Sequence, residues 1–138
     1  MVKARLPDAN KRQCIMVVDD DLEIRELISR TLELEGYDVA TASDGNAALS
    51  VMQEQSLDLL ILDIVMPQLD GFQLLKLIRQ HSNIPVIVLT ARCEAMILEE
   101  SVALGADGYL RKPFRPRELA MLVRTNLRRG LVAEPVKM

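Results

Sequence analysis

The 138-residue chain has no tryptophan, two tyrosines, two phenylalanines and one histidine. Aromatics make up 3 % of it and apolar residues 49 %, so any core must rest on aliphatic packing. The single histidine, His81, sits at a predicted helix exit beside Ser82 and Asn83, which argues against a phosphohistidine role. Two cysteines, Cys14 and Cys93, form no CxxC pair and no metal spacing. Cys14 reads as packing at a strand edge and Cys93 as a small loop residue. No apolar run approaches the roughly 20 residues of a membrane span. The first residues are polar and of mixed charge, without the apolar stretch of a secretory leader. These absences predict a cytoplasmic protein with no membrane partner. A net charge of −3 decides nothing about nucleic acid, because opposed patches can hide within it.

What the chain does contain is alternation. Strand candidates lie at 15–18, 37–42, 57–62, 85–90 and 108–112. The third and fourth are nearly continuous apolar runs, as expected where both faces of a parallel sheet are covered. Helical periodicity fills 22–35, 45–55, 71–80, 94–104 and 116–129, with Gly36 and Gly105 as stops and Pro116 at a start. Five strands alternating with five helices predict an open α/β sheet with right-handed crossovers. The length suggests one domain, with residues 1–12 as a flexible N-terminal arm and 130–138 as a C-terminal tail or linker stub.

In such sheets ligands bind beyond the carboxyl ends of the strands. There the sequence "CIMVVDDDLEIRELI" runs an apolar strand into Asp19, Asp20 and Asp21. Asp63 follows "LLIL", Thr90 ends the fourth strand and Lys112 ends the fifth. Converging carboxylates repel unless a cation joins them, and oxygen donors without His or Cys favour Mg²⁺. A lysine ammonium has no lone pair and cannot be a ligand, so its presence implies that an anion also arrives. A carboxylate, a divalent ion, a hydroxyl and a lysine suit phosphoryl transfer onto the carboxylate. A calcium-binding EF-hand starting at Asp19 fails, since Ile24 stands where that loop needs glycine.

Four motifs, "VVDDD" (17–21), "LLILDIVMPQLDG" (59–71), "VIVLTA" (86–91) and "GADGYLRKPF" (105–114), resemble the receiver domain of two-component response regulators over about 13–129. The resemblance implies a flavodoxin-like fold, a five-stranded parallel sheet in the order 2-1-3-4-5 with helices on both faces. It implies Asp63 as acceptor of a phosphoryl group from the phosphohistidine of a sensor kinase. Asp19, Asp20 and the Val65 backbone carbonyl would hold Mg²⁺ together with Asp63, with Asp20 a direct ligand. Lys112 would pair with the acylphosphate and Thr90 would bind a phosphoryl oxygen. Tyr109 would be the aromatic switch residue, and Lys112–Pro113 a cis peptide. Asp21 is expected to cap the first helix.

The phrases "TAR" and "RPREL" lean toward the winged-helix transcription-factor class, although Gly108, Leu98 and Leu122 replace charged residues usual there. A DNA-binding effector, if there is one, is expected outside this chain. The face of the fourth helix, fifth strand and fifth helix is the expected site of homodimerisation or of effector docking. Catalysis beyond weak self-hydrolysis is not expected. A phosphatase of the haloacid-dehalogenase type needs an acid two residues after its nucleophile and a threonine two later, and Val65 and Pro67 stand there.

Overall fold

The computed structural model describes residues 12–65, 71–91 and 95–132. Strands β1 (Cys14–Val18), β2 (Asp38–Ala42), β3 (Leu59–Asp63), β4 (Val86–Thr90) and β5 (Gly108–Arg111) alternate with helices α1 (Leu22–Leu34), α2 (Gly45–Glu54), α3 (Gly71–His81), α4 (Ala95–Ala103) and α5 (Pro116–Val132). All strand pairs are parallel, and the order is β2-β1-β3-β4-β5, as the resemblance implied.

Side-chain alternation divides the core in two. Ile15, Val17, Leu59, Ile61, Ile87 and Leu89 face α1 and α5, where Ile28, Leu32, Leu119, Val123 and Leu127 close the layer. Met16, Val18, Leu60, Leu62, Val86 and Val88 point the other way, onto Ala48 of α2 and Leu74, Leu75 and Ile78 of α3. Every residue of β3 and β4 is buried, which explains their unbroken apolar sequence. Each such aliphatic side chain stabilises the fold by about 1.5–3 kcal/mol.

The element ends differ from expectation for local reasons. Tyr37 is not in β2, because its N–H, like that of Glu35, goes to the Leu32 carbonyl in the turn that ends α1. That turn needs Gly36 at φ 98°. At the other end, the Asp21 carboxylate accepts from the N–H groups of Glu23 (2.9 Å) and Ile24 (3.4 Å), so the expected cap is present. Helix α5 runs to Val132, past the predicted end at 129.

One side chain ties three connections together. Arg79, in the last turn of α3, donates to the Gly105 carbonyl through Nε (3.0 Å) and Nη2 (2.8 Å) and to the Ile84 carbonyl through Nη1 (2.7 Å). Nη2 also lies 2.8 Å from Asp107 Oδ2, which accepts the Val86 N–H at 2.9 Å. Replacing Arg79 with Met strands these acceptors and should cost about 2–3 kcal/mol in urea unfolding. Arg79→Lys should recover little of this, since an ammonium lacks the planar fork. A loss below about 1 kcal/mol for Arg79→Met would contradict the assigned role.

Candidate functional site

The parallel sheet brings the ends of β1, β3, β4 and β5 to one rim. Asp19 follows β1, and its N–H still bonds the Ala42 carbonyl (3.1 Å), so the ladder holds it in place. It is fully buried. Its Oδ1 accepts the Asp21 N–H at 2.9 Å, and its carbonyl accepts Arg25 Nη1 at 2.8 Å. Oδ2 has no hydrogen-bond donor, only the ionic approach of Lys112 Nζ at 2.9 Å. Asp63 ends β3, 3 % exposed. Its Oδ1 accepts the Val65 N–H at 3.0 Å and its Oδ2 accepts from Lys112 Nζ at 3.2 Å. Asp20 stands exposed beside them.

Carboxylate oxygens of Asp19, Asp20 and Asp63 lie within 4.8 Å of one another. Two are buried, and one buried oxygen lacks a donor. The donor set is all oxygen. These observations fit a hard divalent cation such as Mg²⁺. Burial first, and then the Asp19 charge, push the Asp63 carboxyl up to about 6, against the pull of the Val65 N–H and Lys112. Burial works against the Lys112 charge, but the close approach of the Asp19 carboxylate and the charges of both aspartates outweigh this and raise its pKa. The ammonium therefore stays charged while the carboxylate opposite is strained.

That strain has a measurable consequence. Without a divalent ion, the folded chain holds the Asp63 proton more tightly than the unfolded chain does. Below about pH 4 both are protonated, and between about 4 and 6 the unfolded chain ionises first, so stability falls as pH rises. The sequence suggested that Asp20 contributes to this strain, but Asp20 is exposed and water screens it. In EDTA, Asp63→Asn should be the more stable protein at pH 7.5 by about 1–2 kcal/mol, with the difference shrinking toward pH 4. A difference that is constant across this range would exclude the assignment.

Thr90 is fully buried at the end of β4, and its carbonyl accepts the Lys112 N–H at 2.7 Å. This bond sets Lys112 on the rim although it lies just past β5. The Lys112–Pro113 bond is cis, as expected. Tyr109, paired with Val88 in the β4–β5 register, is partly buried against the cluster under α2 and α3. Val65 is exposed.

Two contributors were not foreseen. Arg25 holds the Asp19 carbonyl, and an arginine in a first helical turn gives no sequence signal for that. Gly71 opens α3 against the Ile64 backbone, where a Cβ would lie 2.5 Å from the carbonyl oxygen and 2.6 Å from Cα. The glycine was visible as the end of a motif, but its contact was not.

Residues 15–124 match the response regulator receiver domain. The chain belongs to this family. The receiver is 49 % identical over 116 residues to the CpxR homolog, a transcriptional regulatory protein of Haemophilus influenzae, covering 84 % of this chain and 51 % of that protein. It is 45 % identical over 121 residues to the probable transcriptional regulator ycf27 of Cyanidium caldarium, covering 87 % and 49 %. The receiver thus spans about half the length of the curated relatives it matches. Among solved structures it resembles the receiver domain of the Francisella response regulator 1452, with TM-score 0.81 and 37 % identity over 86 % of this chain and 99 % of that one. The chemotaxis protein CheY4 of Vibrio cholerae gives TM-score 0.81 and 35 % identity, covering 84 % and 99 %.

Proposed function

We propose that Asp63 accepts a phosphoryl group from the phosphohistidine of a partner sensor kinase, and that the resulting acylphosphate switches the receiver's output surface. The observation that carries this reading is the buried Asp63–Lys112–Asp19 arrangement with Asp20 at its mouth. Asp63 supplies the nucleophilic oxygen. An O–P bond forms as the P–N bond of the donor breaks, and the imidazole keeps the electron pair. The Val65 N–H fixes one oxygen of Asp63 and leaves the other to react. Lys112, already within reach of that oxygen, stays charged and neutralises the incoming phosphoryl oxygens. Mg²⁺ held by Asp19, Asp20, Asp63 and the Val65 carbonyl would supply further charge neutralisation.

Thr90 stands one strand away, where its hydroxyl would bind a phosphoryl oxygen. Tyr109, on the neighbouring strand, would answer by turning inward. The new acceptor biases an existing equilibrium, because a ligand shifts populations only by binding one state better. Leu98 and Val102 of α4 are exposed, which supports an apolar contact between two copies on the face of α4, β5 and α5. Leu122 contributes less, being partly buried against the α5 side of the core. The names of the relatives support control of transcription through an effector segment, and membership of the receiver family supports a cytoplasmic location. Among the described residues no helix is long and apolar enough to cross a membrane.

The test uses acetyl phosphate and beryllofluoride with Mg²⁺. Intact mass should rise by one phosphoryl group, and beryllofluoride should move the amides around Asp63, Thr90 and Tyr109. Steady hydrolysis of unrelated phosphate monoesters would indicate a phosphatase instead. No response to either reagent would leave only an interaction module.

A further inference from the structure

Arg25 stands in the first turn of α1, where its charge breaks a local rule. The amino end of a helix carries partial positive charge, so a cation there is unfavourable. Among the described residues, no carboxylate lies at ion-pair distance from it. A helical side chain leans toward the amino end of its helix, which carries this one back across the Asp21 cap. There Nη1 donates to the Asp19 carbonyl at 2.8 Å. A residue that contradicts local preference marks a place where something else is gained.

Asp19 itself needs no further hold. It is fully buried, its N–H bonds the Ala42 carbonyl, and Lys112 Nζ stands 2.9 Å from its Oδ2. Asp20 is the opposite case. It is exposed, and among the described residues no donor reaches its carboxylate. The carbonyl that Arg25 grips belongs to the peptide joining the two aspartates. A peptide is planar, so fixing its oxygen also fixes the nitrogen of Asp20. The next peptide is fixed from the other end, because the Asp21 N–H donates to Asp19 Oδ1 at 2.9 Å. With the planes on either side held, both soft backbone dihedrals of Asp20 are set, and so is the direction of its Cα–Cβ bond.

We infer that Arg25 is a positioning residue for the divalent cation: by holding the 19–20 peptide it aims the Asp20 carboxylate at the oxygens of Asp19 and Asp63, without touching the cation. The inference rests on the reading of these three acids as a Mg²⁺ site. A guanidinium beside them has one other conceivable use, as a counter-charge that relieves their repulsion. The two roles differ in sign. A counter-charge competes with Mg²⁺, so a neutral residue in its place would tighten Mg²⁺ binding. A positioning group supports a ligand, so its removal weakens binding although a repelling charge has gone.

Mg²⁺ is titrated into the parent chain, Arg25→Met and Arg25→Lys with no phosphoryl donor present, and the amides of Asp19, Asp20 and Val65 are followed. Arg25→Met should bind Mg²⁺ about tenfold more weakly, and added salt should leave that factor unchanged. Arg25→Lys should recover most of the loss, since a single donor makes this bond. Arg25 is half-buried and methionine is a good helix former, so the fold is retained. Shifts are read on the folded chain, so a change in stability does not imitate the effect. A second measurement needs no metal. In EDTA the Asp19 carbonyl carbon should move upfield in Arg25→Met and return in Arg25→Lys. Equal or tighter Mg²⁺ binding by Arg25→Met would overturn the inference, as would an unmoved Asp19 carbonyl carbon or a lysine variant as weak as the methionine one. A parent chain whose amides ignore Mg²⁺ would remove the metal site itself, and this role with it.

Discussion

Asp63→Asn is expected to take up no acid-labile phosphate from acetyl phosphate, while the parent chain is labelled at a single position. The substitution keeps the Val65 N–H satisfied and leaves Lys112 an acceptor. The rim should therefore survive, and the loss would be one of nucleophile rather than of fold. Asp63 is also the acid that the other groups address, since Lys112 bridges it to Asp19 and the burial of both excludes competing water. Asp20 is close enough to be labelled in its place, so peptide mapping of both proteins is the decisive measurement. Unchanged labelling of the variant, or phosphate on Asp20 in the parent, would remove Asp63 from the acceptor role.

Gly71→Ala should be the most damaging of the small substitutions. The added methyl would meet the oxygen, Cα and carbonyl carbon of Ile64 at 2.5, 2.6 and 2.8 Å. These are backbone atoms, with no rotamer to turn aside. Either α3 withdraws from Leu62 and Ile64, or the 64–65 backbone shifts and takes the Val65 N–H away from Asp63. The expected cost is about 2–4 kcal/mol in urea unfolding, accompanied by slower phosphorylation than in the parent. A variant with unchanged stability and labelling would show that the α3 start is free to move.

These two residues also show what the sequence made legible. Asp63 stood out because an unbroken apolar strand announces its own end, and a carboxylate there must sit on the ligand rim. The same logic found Asp19, Thr90 and Lys112. Strand order came only with the family resemblance, because periodicity does not say which strands are neighbours. Asp19 and Asp20 looked alike as adjacent letters, and only the pleat makes one buried beside Lys112 and the other exposed. Gly71, Arg25 and Arg79 act on backbone atoms distant in sequence, and a residue type alone does not show which carbonyl it will meet. Val65 was named through the resemblance for its carbonyl, whereas the bond from its N–H to Asp63 carried no signal, because every backbone N–H looks the same in a sequence.

The grip of Arg79 on Gly105 fixes more than stability. It anchors the carboxyl end of α4 to α3 and to the start of β4, on the side of the sheet remote from Asp63. Thr90, at the opposite end of β4, lies toward the amino end of α4. If phosphorylation displaces Thr90 as proposed, the displacement would meet a helix held at its far end, which would swing as a lever instead of sliding. Travel would then be greatest near Ala95 and smallest at Gly105. A partner that reads the receiver's state would gain most by resting on the first turn of α4, and one that binds near Gly105 would sense almost nothing.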